Sequence, residues 1–230
     1  MRAQLITKFN SIKEWKNYCL NTHSLYLKNQ HFKKWINKKE VYILNLSDLT
    51  NQNVKYIKSG VEDAINLVKL HFKVKYGNDN SVKKIINLKE EVNSNELLKM
   101  IIEKRRENHK ENADIFIFNK PVKSTDTLIK DGEALTYVSE GVMIFTFDKL
   151  KKYSGNFLRR RAKHEALHLL GINFHHEDTE VRGYKGSSHC NMQYNAPVKR
   201  LCRKCKDALV SFWKGIEYAT KQQFVKNTTH

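Results

Sequence analysis

Proline is nearly absent from this 230-residue chain: only Pro121 and Pro197 occur, so no polyproline linker or stiff proline-rich tail is present. Cysteine is also scarce. Four cysteines do not make a disulfide framework: Cys190, Cys202 and Cys205 cluster at metal-ligand spacing, and Cys19 stands alone like a buried free thiol. No apolar run approaches the roughly 20 residues that a membrane-spanning helix needs, and no membrane partner is expected. The opening Met1-Arg2-Ala3-Gln4-Leu5 lacks the apolar stretch of a signal peptide, so a cytoplasmic location is the expectation. There is no internal repeat and no low-complexity linker, which argues for one domain over residues 1–230.

Acidic residues are the other deficit. Against 42 Lys and Arg stand 24 Asp and Glu, giving a formal charge of +18. Such a field attracts polyanions, and non-specific nucleic-acid binding at low salt is expected from it. The cations are spread over almost every segment, however, and no nucleic-acid motif accompanies them. Apolar residues at 40% and aromatics at 10% place the chain among globular proteins.

What is present in concentrated form is His164-Glu165-Ala166-Leu167-His168-Leu169-Leu170-Gly171, with His175 shortly after. On a helix the i, i+4 spacing projects His164 and His168 from one face, where two imidazoles can hold one zinc ion. Glu165 then reaches toward a water on that ion as general base, the minimal set for metal-assisted hydrolysis. Asn156 is a candidate N-cap for this helix, and Ala162, Ala166, Leu169 and Leu170 form an apolar stripe. Gly171 stands where a left-handed residue would end the helix and turn the chain, bringing a later histidine back toward the metal.

This segment resembles the metzincin clan of zinc metallopeptidases, whose signature is His-Glu-x-x-His-x-x-Gly-x-x-His followed by a methionine-containing turn. Phe174 occupies the expected third-histidine position, and His175-His176 follow it. Either histidine closes a three-histidine site after a small loop adjustment, with His175 favoured because its displacement is smaller. Cys190-Asn191-Met192-Gln193-Tyr194 and Cys202-Arg203-Lys204-Cys205 narrow the resemblance to archaemetzincins. In that family a cysteine after the third histidine, a Cys-x-Met element and a Cys-x-x-Cys pair hold a second, structural zinc. The resemblance therefore implies one catalytic and one structural Zn²⁺, the latter on Cys190, Cys202 and Cys205. His176 stands at the position of the family's first cysteine, and His189 is the competing fourth ligand. Met192 would be the turn methionine under the catalytic metal. Tyr194 matches a tyrosine that in some metzincins swings toward the metal or the developing oxyanion. The implied substrate is a peptide or protein, and the positive charge favours an acidic one.

Alternating elements along the chain predict an α+β fold: a mixed β-sheet flanked by helices, with the active helix beneath it. Residues 11–38 read as helix or helix-loop-helix, making residues 1–40 an N-terminal helical extension. Strands are expected at Val41–Leu46, Leu70–Tyr76, Asp114–Phe118 and Val142–Phe147. Gly77–Asn80 reads as a turn. Helices are expected at Val61–Val68, from a Ser94 cap through Arg106, and at Cys205–Tyr218. Residues 172–230 form a C-terminal subdomain with the structural zinc. In zincins the strand nearest the cleft pairs with bound peptide; here Gly132–Val138 and Val142–Phe147 are both candidates, and the residues leave the choice open.

Overall fold

The computed structural model describes residues 29–47, 49–69, 71–77, 82, 92–118, 122–123, 134–146, 154–172, 190–192 and 200–228. In chain order these give α1 (Gln30–Lys38), β1 (Glu40–Asn45), α2 (Asn51–Leu67), β2 (Lys73–Gly77), β3 (Val92–Asn93), α3 (Ser94–Glu107) and β4 (Ala113–Phe118). Then follow β5 (Val122–Lys123), β6 (Ala134–Tyr137), a 3-10 turn at Val138–Glu140, β7 (Val142–Thr146), α4 (Gly155–Leu169) and α5 (Arg203–Thr228).

The main sheet has the order β2-β1-β4-β7-β6. Four strands run parallel and β6 is antiparallel to β7, so the sheet is mixed as expected. The interior strands are apolar on both faces, as sheets covered by helices must be. On β4, Ile115 and Ile117 face a core shared with α1, α2, α4 and α5, whereas Phe116 and Phe118 face a second core with Leu97 and Ile101 of α3. The period of two thus divides one strand between two layers. Of the two candidate cleft strands, Val142–Thr146 lies between β4 and β6 and is paired on both sides. Among the described residues Ala134–Tyr137 pairs with β7 alone, and it forms the sheet edge.

Helix α2 begins ten residues before its expected start. Thr50 caps it by accepting from the Asn53 N–H, and Val54, Ile57, Val61, Ala64 and Ile65 recur at three- and four-residue steps along its buried face. The polar run 51–53 disguised that first turn. Helix α3 is capped by Asn93, whose Oδ1 accepts from the Glu96 N–H, while Ser94 is its first helical residue. Gly77 is the last residue of β2, and the rest of the expected turn, 78–80, lies outside the described residues. Helix α5 extends to Thr228, ten residues beyond its expected end. The N-terminal helix is seen from Gln30, and the remainder of the expected extension lies outside the described residues.

The contact that places α4 is its crossing with α2. A Cβ on Gly60 would stand 2.2 Å from the Arg159 carbonyl oxygen and 2.9 Å from the Ala162 Cβ, so the two backbones meet at a distance that admits only hydrogen at residue 60. Beside it Arg159 makes a two-pronged bond to Asp63, at 2.8 and 2.9 Å, which fixes the rotation of one helix against the other. On the opposite layer, buried Arg105 of α3 pairs with Asp114 and also donates to the Asn112 carbonyl, tying α3 to the start of β4. Gly60→Val must push the helices apart or distort α4; urea denaturation is expected to show a loss of about 1–3 kcal/mol with the m-value unchanged.

Candidate metal centre

Helix α4 carries the His-Glu-x-x-His sequence through the middle of the molecule. Ser154, extended at φ −65° and ψ 156°, is its N-cap in place of Asn156, and its carbonyl accepts from Phe157 and Leu158. At the other end Leu170 is the C-cap and Gly171 has φ +106°. The Gly171 N–H donates to the His168 carbonyl and the Ile172 N–H to the Leu167 carbonyl, both at 3.0 Å. This pair of bonds is a Schellman closure, and it requires the left-handed glycine that the sequence places there. Trp213 of α5 takes the remaining Leu170 carbonyl through its indole N–H at 2.9 Å.

That closure has a chemical result. It turns the Ile172 carbonyl back beneath the helix end, where it accepts from His168 Nδ1 at 2.6 Å. His164 Nδ1 donates likewise to the Asn191 carbonyl at 2.6 Å. A carbonyl oxygen only accepts, so each ring carries its proton on Nδ1 and has its lone pair at Nε2. The two Nε2 atoms are 3.2 Å apart. Burial, and then the neighbouring His168 and Arg161, hold the His164 pKa well below the ordinary imidazole value; burial also lowers that of His168. Both rings are therefore neutral at pH 7.

Two neutral imidazoles aiming lone pairs at each other repel unless a cation lies between them. Nitrogens each about 2.0–2.1 Å from one zinc ion at a tetrahedral angle stand about 3.3 Å apart, so the pair fits such an ion. Glu165 is buried, with Oε1 4.0 Å from His164 Nε2 and 3.5 Å from Arg161 Nε one turn earlier. The carboxylate thus lies beside the face where a cation would sit. His175, His176, His189 and Tyr194 lie outside the described residues.

A second group of donors lies on the other side of Asn191. Cys190, Cys202 and Cys205 bring their sulfurs within 4.8 Å of one another. Cys190 Sγ and Cys205 Sγ are 3.7 Å apart, far beyond a disulfide bond and close to the about 3.8 Å between two thiolates on a tetrahedral zinc. The Cys202 backbone N–H also donates to Cys190 Sγ at 3.3 Å. Burial pushes the Cys205 thiol up well above its ordinary value, and the adjacent sulfurs add to this. Cys190 and Cys205 are buried and Cys202 is half-buried, so thiolates there would have little solvent to stabilise them, and a divalent cation would supply the missing charge. Met192 is wholly buried in the core that also contains Ala162, Ala166 and Leu167 of α4.

Of the residues singled out from the sequence, the structure brings His164, Glu165 and His168 together on α4, gathers Cys190, Cys202 and Cys205, and buries Met192 in the core. Sequence reasoning passed over Asn191 and Ile172, which act through main-chain carbonyls and leave no side-chain signature. Arg161 was also passed over, although its i, i+4 spacing to Glu165 was a readable signal.

The described architecture is zincin-like in fold: a mixed five-stranded sheet, an antiparallel edge strand, and a His-Glu-x-x-His helix packed beneath. More narrowly, the fold is archaemetzincin-like. The crystal structure of archaemetzincin from Methanopyrus kandleri is similar at a TM-score of 0.54 and 10% identity, covering 76% of this chain and 95% of that one. Archaemetzincin from Archaeoglobus fulgidus, solved with malonate, gives 0.48 and 15% identity over 74% of this chain and 99% of that chain. A zinc-dependent peptidase from Methanocorpusculum labreanum gives 0.43 and 17% over the same 74% and 99%. No family model matches the sequence, and no curated protein matches it. Among the described residues no helix is long and apolar enough to cross a membrane.

Gly171→Ala would force a side chain into a left-handed conformation, with its Cβ 2.5 Å from the Phe212 ring. Chemical unfolding of this variant is expected to show a loss of about 1–3 kcal/mol. An unaltered midpoint would mean that the helix closure tolerates a side chain.

Proposed function

We propose that this chain is a zinc-dependent metallopeptidase that hydrolyses peptide bonds in peptide or protein substrates. The observation that carries the reading is the pair of neutral imidazoles, Nε2 to Nε2 at 3.2 Å, with the Glu165 carboxylate 4.0 Å from one of them. His164 and His168 would hold the ion together with His175 or His176. Bound there, zinc supplies acidity to a water molecule and polarises a substrate carbonyl.

The rest of the chemistry belongs to the chain. Glu165 takes the proton of the attacking water at its carboxylate and delivers it to the nitrogen of the leaving amine. Arg161, 3.5 Å from the same oxygen, limits the rotamers of that carboxylate. Ile172 and Asn191 keep the two imidazoles in the tautomer that has its proton on Nδ1 and its lone pair on Nε2. The edge strand Ala134–Tyr137 offers main-chain N–H and C=O groups to an extended peptide. Met192 forms the floor of the site, and Tyr194 is assigned to the developing oxyanion. Cys190, Cys202 and Cys205, with His176 or His189, would hold a structural zinc.

Elemental analysis of the purified chain is expected to give two zinc equivalents, falling to one in the His164→Ala/His168→Ala double variant. A single equivalent that the double variant leaves in place would overturn the catalytic site. Glu165→Gln is expected to retain both equivalents and lower cleavage of a peptide library at least about a hundredfold, since the general base is lost while the ligands stay. Undiminished cleavage would remove Glu165 from the mechanism.

A further inference from the structure

We propose that the cysteine cluster and the histidine pair are coupled through Asn191, which makes Asn191 a positioning residue for His164 and gives each metal site control over the affinity of the other. The inference rests on the peptidase reading to the extent that His164 is a metal ligand.

Asn191 is completely buried and is the covalent neighbour of Cys190. Its carbonyl accepts from His164 Nδ1 at 2.6 Å, and its side-chain amide donates to the Arg160 carbonyl at 3.1 Å. Residues 160 and 164 are one helical turn apart, so Asn191 grips α4 at two points on one face. Its own N–H donates to the Arg200 carbonyl at 2.6 Å, just before the segment that carries Cys202 and Cys205. Cys190 is in turn held by the Cys202 N–H and lies against Cys205. One short segment therefore has a thiol of the cysteine cluster at one residue and the carbonyl that fixes an imidazole at the next.

Consecutive Cα atoms are about 3.8 Å apart and joined by a planar peptide, so Cys190 cannot move appreciably without moving the Asn191 carbonyl. With a cation in the cysteine cluster the Cys190 sulfur is fixed by direct bonds. With thiols alone it is retained only by packing and by weak hydrogen bonds to sulfur. Filling the cluster thus narrows the positions of the Asn191 carbonyl, and with it the tautomer and ring plane of His164. Loss of such a partner typically costs a metal site about 10–100-fold in affinity. Linkage makes the effect reciprocal: a metal on His164 raises affinity at the cysteines by the same factor. His168 is fixed by Ile172, part of the closure of α4 itself, and stands outside this coupling.

The test uses the full chain and cobalt(II), with thiolate charge-transfer absorption reporting the cysteine site and paramagnetically shifted imidazole proton signals the histidine site. Cobalt affinity at the histidines is measured in the wild type, in Cys202→Ser, which disables the cluster at its least buried sulfur, and in Asn191→Ala, which keeps every ligand but releases the grip on Arg160. The expected result is a loss of about tenfold or more in both variants. Ring nitrogen NMR signals of His164 are expected to shift on each substitution while those of His168 stay in place, a selectivity that general destabilisation does not produce. Asn191→Ala is the decisive variant if Cys202→Ser fails to fold. Histidine-site affinity within about twofold of wild type in Asn191→Ala, or equal shifts in both rings, overturns the coupling while leaving the peptidase reading intact. A wild-type histidine pair that takes up no cobalt overturns the reading and the coupling together.

Discussion

Helix α4 lies in the interior with nearly all of its second half buried, yet it carries arginine, lysine, histidine and glutamate there. A polar side chain removed from water must find a partner inside the protein or cost several kcal/mol, and that requirement organises everything around the helix. Glu165 is answered by Arg161, His164 by the Asn191 carbonyl and His168 by the Ile172 carbonyl. The close crossing at Gly60 and the aromatic contacts of α5 hold those partners in place. With both Nδ1 positions taken by main-chain carbonyls, the two Nε2 atoms face each other.

The sheet performs a complementary task. Its parallel strands are covered by helices on both faces, and the single antiparallel strand is left at the edge nearest α4 in the chain order of the sheet. A strand paired on one side has main-chain groups to share on the other. The same sheet that supports the helix thus also presents an extended surface beside it, and the 3-10 turn at Val138–Glu140 joins the edge strand directly to the buried neighbour β7.

Much of this was legible in the residues. The i, i+4 histidines, the intervening glutamate and the glycine after the helix carry their chemistry in side-chain type and spacing, and the strand patterns of 41–46, 114–118 and 142–147 predicted real strands within a residue or two. Where reading by residue type fell short, the cause is physical. Ala134–Tyr137 is the edge because of tertiary pairing, which no local pattern encodes. The first turn of α2 is polar because it faces solvent, so periodicity could not extend the helix back to Thr50. Asn191 and Ile172 contribute backbone oxygens, which every residue possesses, and only the chain path shows which of them matter.

The Schellman closure at Gly171 has one more consequence. Because the carbonyl that orients His168 comes from Ile172, the second residue past the helix, that imidazole is oriented as soon as the chain leaves α4. His164 differs, because its orienting carbonyl belongs to Asn191, so the chain must return to α4 before that ring is fixed. The one-residue offset that separates Phe174 from His175 comes after Ile172 in the sequence, so the orientation of His168 does not depend on it.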